Sequence, residues 1–225
     1  HHHPHQQQPQ PSSPAPAPNL CTTDRYTLFQ PHPALLTASH GIGKGSADIL
    51  FHEITSTLRA AGAHGFSYIR VGSSGGCATA AGTLVVSDSV VDETGAPVVR
   101  SFVLGQLRDY PAQLDRNLAH QLADAARDMY GPENVRTGTT MCCETFYEAQ
   151  GRLDGAYAEY TAQDRTRFLE RCRDAGVINF EMESVVLAAF CTRLDIPVAV
   201  ICAVLVDRLD GISDKPHAPP VTLTA

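Results

Sequence analysis

The sequence has no apolar run that reaches the roughly 18 residues of a membrane-spanning helix, and no signal-peptide pattern opens it. Basic residues are outnumbered, because 17 lysines and arginines stand against 24 aspartates and glutamates, for a formal net charge of -7. That balance argues against a broad surface for nucleic acid or for anionic membranes. We therefore expect a cytoplasmic protein that binds no nucleic acid and no membrane.

The seven cysteines lack the C-x-x-C spacing of a metal site, and their odd number does not make up a complete disulfide framework. Most of them fall in apparent core segments, where a free cysteine packs as a small apolar residue. We expect reduced, mostly buried thiols and no metal site.

Residues 1–18 consist of His, Gln, Pro, Ser and Ala, without one large apolar side chain. Such a segment cannot bury enough surface to offset the entropy of ordering, so we predict a disordered low-complexity tail. Its histidines resemble a metal-binding tag, but a functional metal site there is the weaker interpretation. Residues 19–225 have the apolar content of one globular domain.

Beyond residue 34 the apolar periodicity alternates between strands and helices. Strands are predicted at 34–40, 66–72, 83–91, 136–143, 177–180 and 197–206, and helices from Ser46, at 114–129, at 163–176 and at 183–194. This order predicts an α/β fold, one domain with a mixed central β-sheet and helices on both faces. Ligands of such folds bind at the carboxyl ends of strands, where Gly41, Gly72, Glu181 and Asp207 fall.

Two glycine-rich segments follow predicted strands. HGIGKGS (40–46) is not a triphosphate-binding loop, because Gly45 stands where Ser or Thr is needed. RVGSSGG (70–76) places Arg70 before a predicted turn with the hydroxyls of Ser73 and Ser74, and such donors suit a phosphate. A structural arginine held by a salt bridge is the alternative interpretation.

The segment NFEMES places Glu181 and Glu183 on either side of Met182, at the edge of the apolar run VVLAAF. Carboxylates are seldom buried without partners, because desolvating a charge costs far more than an apolar contact returns. Either a polar group meets these glutamates inside the protein, or they are surface carboxylates at the start of a helix.

Seven segments occur in the order and spacing of uridine phosphorylases, so residues 20–212 resemble the nucleoside phosphorylase-I family, and its animal and protozoan branch more than the bacterial one. They are TDRY (23–26), SHGIG (39–43), RVGSSGG (70–76), GTLVVSDSVVD (82–92), TFYEAQGRLDGAY (145–157), INFEMES (178–184) and VLVDRLDG (204–211). The resemblance implies the fold of that family and a pentosyltransferase of pyrimidine salvage. Its reaction would be the reversible phosphorolysis of uridine to uracil and ribose 1-phosphate, with inorganic phosphate as co-substrate and no cofactor.

The resemblance also implies which residues form the site. Phosphate would be bound by Arg25, Arg70 and Ser73. Uracil would be bound by Phe146, Gln150 and Arg152. Ribose would be bound by Glu181, Met182 and Glu183, and the base would lie against an apolar wall of Leu205 and Val206.

Three of these residues would carry the chemistry. Arg152 would stabilise the negative charge on the departing uracil, Arg70 would hold the phosphate in line, and Glu183 would fix the ribose. In this family the arginine matching Arg25 reaches a neighbouring subunit. A homodimer or higher homo-oligomer with shared sites is therefore implied.

The match has departures that leave other functions open. The family's first strand with its phosphate loop, and its last helix, have no counterpart here, so the sequence represents part of a longer protein or the phosphate site is impaired. Asp207 stands where uridine phosphorylases usually carry Asn, and pairing with Arg208 is its structural interpretation. The alternatives are a nucleoside-binding protein without turnover, and a purine nucleoside phosphorylase or nucleosidase of the same fold.

Overall fold

The computed structural model of the protein describes residues 18–210, so the predicted tail lies outside it apart from Pro18. The chain divides into two compact units, with the boundary between Gly41 and Ile42. In the first unit, β1 (Leu28–His32) and β2 (Leu35–Ala38) form an antiparallel hairpin. The strand predicted at 34–40 is present as β2, but the prediction that it is buried is wrong, because Leu35 is 52% exposed. Two strands alone have no second layer to cover their faces.

The second unit is built on a mixed sheet that closes into a barrel, with strand order β3-β8-β7-β4-β9. Its strands are β3 (Tyr68–Gly76), β4 (Leu84–Val91), β7 (Val135–Cys142), β8 (Val177–Glu181) and β9 (Val198–Asp207). A separate hairpin of β5 (Val98–Val103) and β6 (Gln106–Pro111) follows β4. The mixed α/β architecture is the predicted one, whereas the closure of the sheet and the β5–β6 hairpin were not predicted.

The strand directions decide which residues meet. Strands β4, β7 and β8 run parallel to one another, and β3 and β9 run parallel to each other but antiparallel to that group. Glu181 ends β8 and Asp207 ends β9, and although these strands run in opposite directions, both ends lie beside the last residues of β3, where Gly75 pairs with Phe180 and Gly76 pairs with Asn179 and Asp207. The expectation that Gly72 lies at the end of a strand is wrong, because β3 continues to Gly76.

Helices pack around the barrel through apolar faces that match their sequence periodicity. Helix α4 (Ser184–Leu194) is buried from Ser184 to Cys191 and packs beside α1 (Lys44–Ala60). Helix α2 (Arg116–Tyr130) lies over β4, β7 and β9, and α3 (Ala162–Asp174) lies over β8. No helix in residues 18–210 is long and apolar enough to cross a membrane.

Two local predictions need correction. Helix α1 begins at Lys44 with Gly43 at its N-cap, so Ser46 is inside the helix and does not cap it. The turn predicted at SSGG is strand, since β3 continues to Gly76 beside β9, with an irregularity between Ser74 and Gly75. Pairing with a long buried neighbour outweighs the turn preference of these residues, because it satisfies their backbone hydrogen bonds.

Candidate functional site

A buried ion-pair cluster lies where β3 passes the carboxyl end of β8. The side chain of Arg70 is 4% exposed, and its Nη1 lies 3.1 Å from Oε2 of Glu181. Its Nη2 donates a hydrogen bond to Oε2 of Glu183, and its Nη1 also donates to Sγ of Cys202 at 3.1 Å. The salt-bridged interpretation of Arg70 is therefore confirmed, and its partners are the two glutamates of NFEMES.

The start of α4 explains why Glu181 and Glu183 can be buried. Oε2 of Glu181 accepts hydrogen bonds from the backbone N–H groups of Glu183 and Ser184, each at 2.9 Å, and its Oε1 accepts one from the Ser184 hydroxyl. Oε1 of Glu183 accepts a hydrogen bond from the Gly43 N–H at 2.5 Å. A helix N-terminus stabilises negative charge through such unpaired N–H groups. The surface interpretation of these glutamates is therefore wrong.

The electrostatics of the cluster favour a charged arginine and a neutral thiol. Burial would lower the pKa of Arg70, but the two carboxylates outweigh burial and raise that pKa above its ordinary value. Burial raises the pKa of the Cys202 thiol to about 12, so this sulfur stays protonated at neutral pH. Nε of Arg70 is buried and has no hydrogen-bond partner within the described residues. One donor of the guanidinium is thus left for an incoming acceptor.

Glycines on β3 make room for two guanidinium groups. A Cβ on Gly72 would lie 2.7 Å from Nη1 of Arg70, and a Cβ on Gly75 would overlap the guanidinium of Arg208. Contacts this close do not occur between real atoms, so these positions require glycine while the arginines hold their places. The sequence motif RVGSSGG is therefore a strand that passes two arginine side chains.

The second group of predicted residues lies in the segment between β7 and α3. The guanidinium carbon of Arg152 lies 4.2 Å from the ring centroid of Phe146, and Nε of Arg152 donates to Asp154 at 2.8 Å. The hydrogen bonds that Arg152 donates hold the pKa of the Asp154 carboxyl below its ordinary value. Gln150 ends a short 3-10 turn, Glu148–Gln150, and is 2% exposed. Its Oε1 accepts a hydrogen bond from Nη2 of Arg208 at 2.5 Å.

Some predicted residues are not brought together. Alternation along β3 places Arg70 and Gly72 on the inner side, whereas Ser73 is exposed on the other side. On β9 the pairing with β3 skips Leu205, between Val204 and Val206, so alternation does not fix the sides of Leu205 and Val206; Val206 is buried and Leu205 is half-buried. Arg25 is exposed and belongs to the first unit. Its role, like those of Ser73 and the wall residues, stays a prediction.

Asp207 is a turn residue in this structure. Its Oδ1 accepts hydrogen bonds from the backbone N–H groups of Ala78 at 3.1 Å and Leu209 at 3.0 Å. The Arg208 side chain donates to Gln150, and the predicted pairing of Asp207 with Arg208 stays a prediction. The carboxylate of Asp207 is thus already used in shaping two turns.

The model of the phosphorylase superfamily matches residues 31–221. The chain belongs to this superfamily. The predicted resemblance to uridine phosphorylases is confirmed by relatives and by solved structures of the same fold.

Three members show the range of similarity within the superfamily. Uridine phosphorylase 1 of Mus musculus is 39% identical over 201 residues, which are 88% of this chain and 64% of that protein. A uridine phosphorylase structure from the oomycete Phytophthora capsici has a TM-score of 0.82 and 42% identity, covering 90% of this chain and 67% of that one. Inactive uridine phosphorylase B of Schistosoma mansoni is 31% identical over 176 residues, 78% of this chain and 60% of that protein. The chain thus spans less than two thirds of the length of the curated relatives it matches.

Arg208 was not predicted from the sequence as a partner of the segment of Phe146, Gln150 and Arg152, which we call the base-recognition segment after its predicted role. It is 3% exposed although it carries a charge, and it lies 58 residues from Gln150 in sequence. The available signal was Gly75, since glycine inside a strand often marks a close approach by another group, but this glycine was predicted to lie in a turn.

A pocket of about 340 Å³ lies beside the base-recognition segment of this superfamily member, but it does not contain the ion-pair cluster. Its lining residues are Glu93, Glu148, Ala149, Gly151, Tyr160, Asp164, Arg165 and Phe168. None of the predicted ligand contacts is among them. Gly151, the residue between Gln150 and Arg152, is among the lining residues, so the pocket adjoins the backbone of that segment. Residues 18–210 contain no group of three or more His, Cys, Asp or Glu placed to hold a metal.

Substituting Gly72 by alanine is expected to lower the free energy of unfolding by about 1 to 3 kcal/mol, because the new methyl group collides with a guanidinium that two carboxylates hold in place. Urea unfolding followed by circular dichroism measures this. Gly45→Ala is the matched control, since nothing lies within 4 Å of its added Cβ and the site is helical. We expect that control to match or slightly exceed the parent stability. Equal stability of both variants would contradict the tight contact at Gly72.

Proposed function

We propose that this protein catalyses the reversible phosphorolysis of uridine to uracil and ribose 1-phosphate, as a pentosyltransferase of pyrimidine salvage. The observation that carries the proposal is the buried cluster of Arg70 with Glu181 and Glu183, in a chain whose relatives are uridine phosphorylases. The cluster offers a guanidinium to phosphate and a carboxylate to the hydroxyls of ribose. A second buried arginine, Arg208, lies beside Gly75 of β3 and holds Gln150.

The Arg70 cluster supports binding of phosphate and ribose. Nε of Arg70 keeps an N–H that makes no hydrogen bond, and a phosphate oxygen is a strong acceptor for it. A carboxylate has about four lone-pair sites. Glu183 uses two of them, one for the hydrogen bond from Arg70 and one for the hydrogen bond from the Gly43 N–H. Its remaining capacity suits the 2′ and 3′ hydroxyls of ribose. Met182 would lie under the sugar and Glu181 would hold the start of α4.

The base-recognition segment supports departure of uracil as an anion. Asp154 and the Phe146 ring set the plane of the Arg152 guanidinium, and Arg208 sets Gln150. A preorganised cation beside the leaving group stabilises the charge that develops as the C1′–N1 bond breaks. Positive charge on the ribose would develop next to the phosphate. No cofactor is needed for this scheme, and inorganic phosphate is the co-substrate.

We also propose a homodimer or higher homo-oligomer in the cytoplasm. The exposed Arg25 supports a site shared between subunits, as the family resemblance implies. The seven cysteines are all free, and six of them are buried, which suits a reducing compartment. Sedimentation of the purified chain as a monomer with full activity would contradict the shared site.

The deciding experiment is uracil release from uridine by the purified chain, with and without inorganic phosphate. We expect release only with phosphate, because the nucleophile is the phosphate itself. Release that does not need phosphate would indicate a nucleosidase, and release of base from inosine would indicate a purine enzyme. Either result would contradict the proposal.

Nucleoside binding without turnover is the second candidate. Both Nη groups of Arg70 are held by carboxylates or sulfur, and a relative is an inactive uridine phosphorylase. This candidate predicts no uracil release, together with uridine binding that Glu183→Ala abolishes. Isothermal titration with uridine separates it from an enzyme that is merely unfolded.

A further inference from the structure

Arg165 on α3 joins the two chain segments that hold the base-recognition residues. Its Nε donates to the carbonyl oxygen of Gly151 at 2.9 Å, and its Nη2 donates to the carbonyl oxygen of Arg208 at 2.8 Å. Gly151 is the residue between Gln150 and Arg152. The planar guanidinium therefore bridges two backbone segments in one fixed geometry.

These contacts close a ring. The Arg208 side chain donates to Gln150, the next residue is Gly151, and Arg165 connects Gly151 back to the Arg208 carbonyl. Each link is a hydrogen bond or a peptide bond, so a shift of one member moves the others. Arg165 does not reach the predicted substrate itself; it acts on the backbone that carries Gln150 and Arg152.

The surroundings show why such a link is needed. Between β7 and α3 the described chain has no regular element except the short turn at Glu148–Gln150, and Gly151 takes a left-handed φ of 65°. Helix α3 is firmly held in contrast, by a capping box of Thr161 and Asp164 and by the buried Leu169. The hydrogen bonds of Arg165 thus hold the backbone of this loop against a helix whose own start is fixed by its capping box.

We propose that Arg165 is a positioning residue that sets base recognition by holding the Gly151 and Arg208 carbonyls. The inference rests on the proposed function, since it assigns Gln150 and Arg152 to uracil. Lysine cannot replace it fully, because a single ammonium group lacks the two-pronged geometry of the guanidinium. The 340 Å³ pocket borders both Arg165 and Gly151, so a truncated side chain leaves a space that a small cation can enter.

The test compares Arg165→Ala with Arg167→Ala in the full chain. Arg167 lies on the same helix, its side chain is 59% exposed, and its ion pair with Asp164 is long, at 3.8 Å. For Arg165→Ala we expect kcat/KM for uridine to fall on the order of tenfold to a hundredfold, through misplaced base contacts. The KM for phosphate should stay unchanged, because Arg70, the predicted phosphate contact, lies on β3 and is not part of the ring through Arg165. Arg167→Ala should match the parent chain.

Rescue separates positioning from a general structural role. Guanidinium chloride, at concentrations well below those that unfold the chain, should restore part of the uridine activity of Arg165→Ala. Sodium chloride and methylammonium at equal ionic strength should not, and Arg165→Lys should lie between the parent and Arg165→Ala. A lower kcat of Arg165→Ala with unchanged KM values for uridine and phosphate would mean fewer folded molecules and would overturn the proposal. Parent-like kinetics of Arg165→Ala would also overturn it.

Uracil affinity, measured by isothermal titration on the same proteins, distinguishes a failure of the proposed reaction from a failure of the positioning role of Arg165. If the parent chain binds uracil without turning over uridine, the proposed reaction fails, and weaker binding by Arg165→Ala still supports the positioning role. If the parent chain turns over uridine and Arg165→Ala binds uracil equally well, only the positioning role fails. A parent chain that neither binds nor turns over would overturn both.

Discussion

Replacing Arg70 by methionine is expected to lower the free energy of unfolding by about 3 to 5 kcal/mol and to abolish phosphorolysis. The side chains of Glu181 and Glu183 are 1% and 5% exposed, and both depend on this guanidinium for their charge balance. Removing one partner of a buried ion pair leaves a charge without compensation in a poorly polarisable interior. Urea unfolding measures the stability, and uracil release from uridine measures the activity.

The double variant Arg70→Met with Glu183→Gln separates the two effects. Neutralising Glu183 removes one uncompensated charge, while Glu181 keeps its N–H and hydroxyl donors at the start of α4. We therefore expect the double variant to regain part of the lost stability but none of the activity. A double-mutant cycle that shows no coupling between Arg70 and Glu183 would contradict the ion pair as a stabilising unit.

Replacing Arg152 by alanine is expected to reduce kcat/KM for uridine by about two to three orders of magnitude, as for loss of a preorganised donor to a developing anion. The structure places this guanidinium over the Phe146 ring and against Asp154, so its orientation is set before substrate arrives. The KM for phosphate should change little, because Arg152 is not among the predicted phosphate contacts. Steady-state kinetics with each substrate varied in turn measure both quantities.

Arg127→Ala is the matched control for Arg152→Ala. Arg127 lies on α2 with its side chain 36% exposed, and it pairs with the exposed Asp124 at 3.0 Å, a contact at the surface that contributes little to stability. We expect parent-like kinetics for this control. Arg152→Lys should keep the charge but lose the planar donor, and should fall between the parent and Arg152→Ala. An Arg152→Ala protein with unchanged kcat/KM would remove Arg152 from the reaction.

Much of the second unit could be predicted from local patterns. The helix near 114–129 and the strand at 197–206 appear close to their predicted bounds, because their apolar periodicity agrees with their packing. The β5–β6 hairpin was missed. Its strands carry exposed residues such as Phe102 and Leu107, so the alternation that marks a half-buried strand is weak there.

The candidate site was predictable in its residue types but not in its contacts. The buried setting of Glu181 and Glu183 called for a polar partner, and Arg70 was separately a phosphate candidate. That these residues bind one another follows from the antiparallel pairing of β3 with β8, which joins positions more than a hundred residues apart. The pairing of Arg208 with Gln150 is hidden for the same reason, since the two residues are 58 positions apart in sequence.

Short-range information in the chain was enough for the main helices and strands of the second unit, the α/β class and the residue types of a uridine phosphorylase-like site. These follow from periodicity, backbone preference and motif spacing, all of which act over a few residues. Tertiary structure decided the closure of the sheet, the extension of β3 through SSGG, the ion pairs of Arg70 and the ring through Arg165. Each of these depends on strand direction and on side chains from distant segments, because burial forces charged groups to find partners wherever the fold brings them.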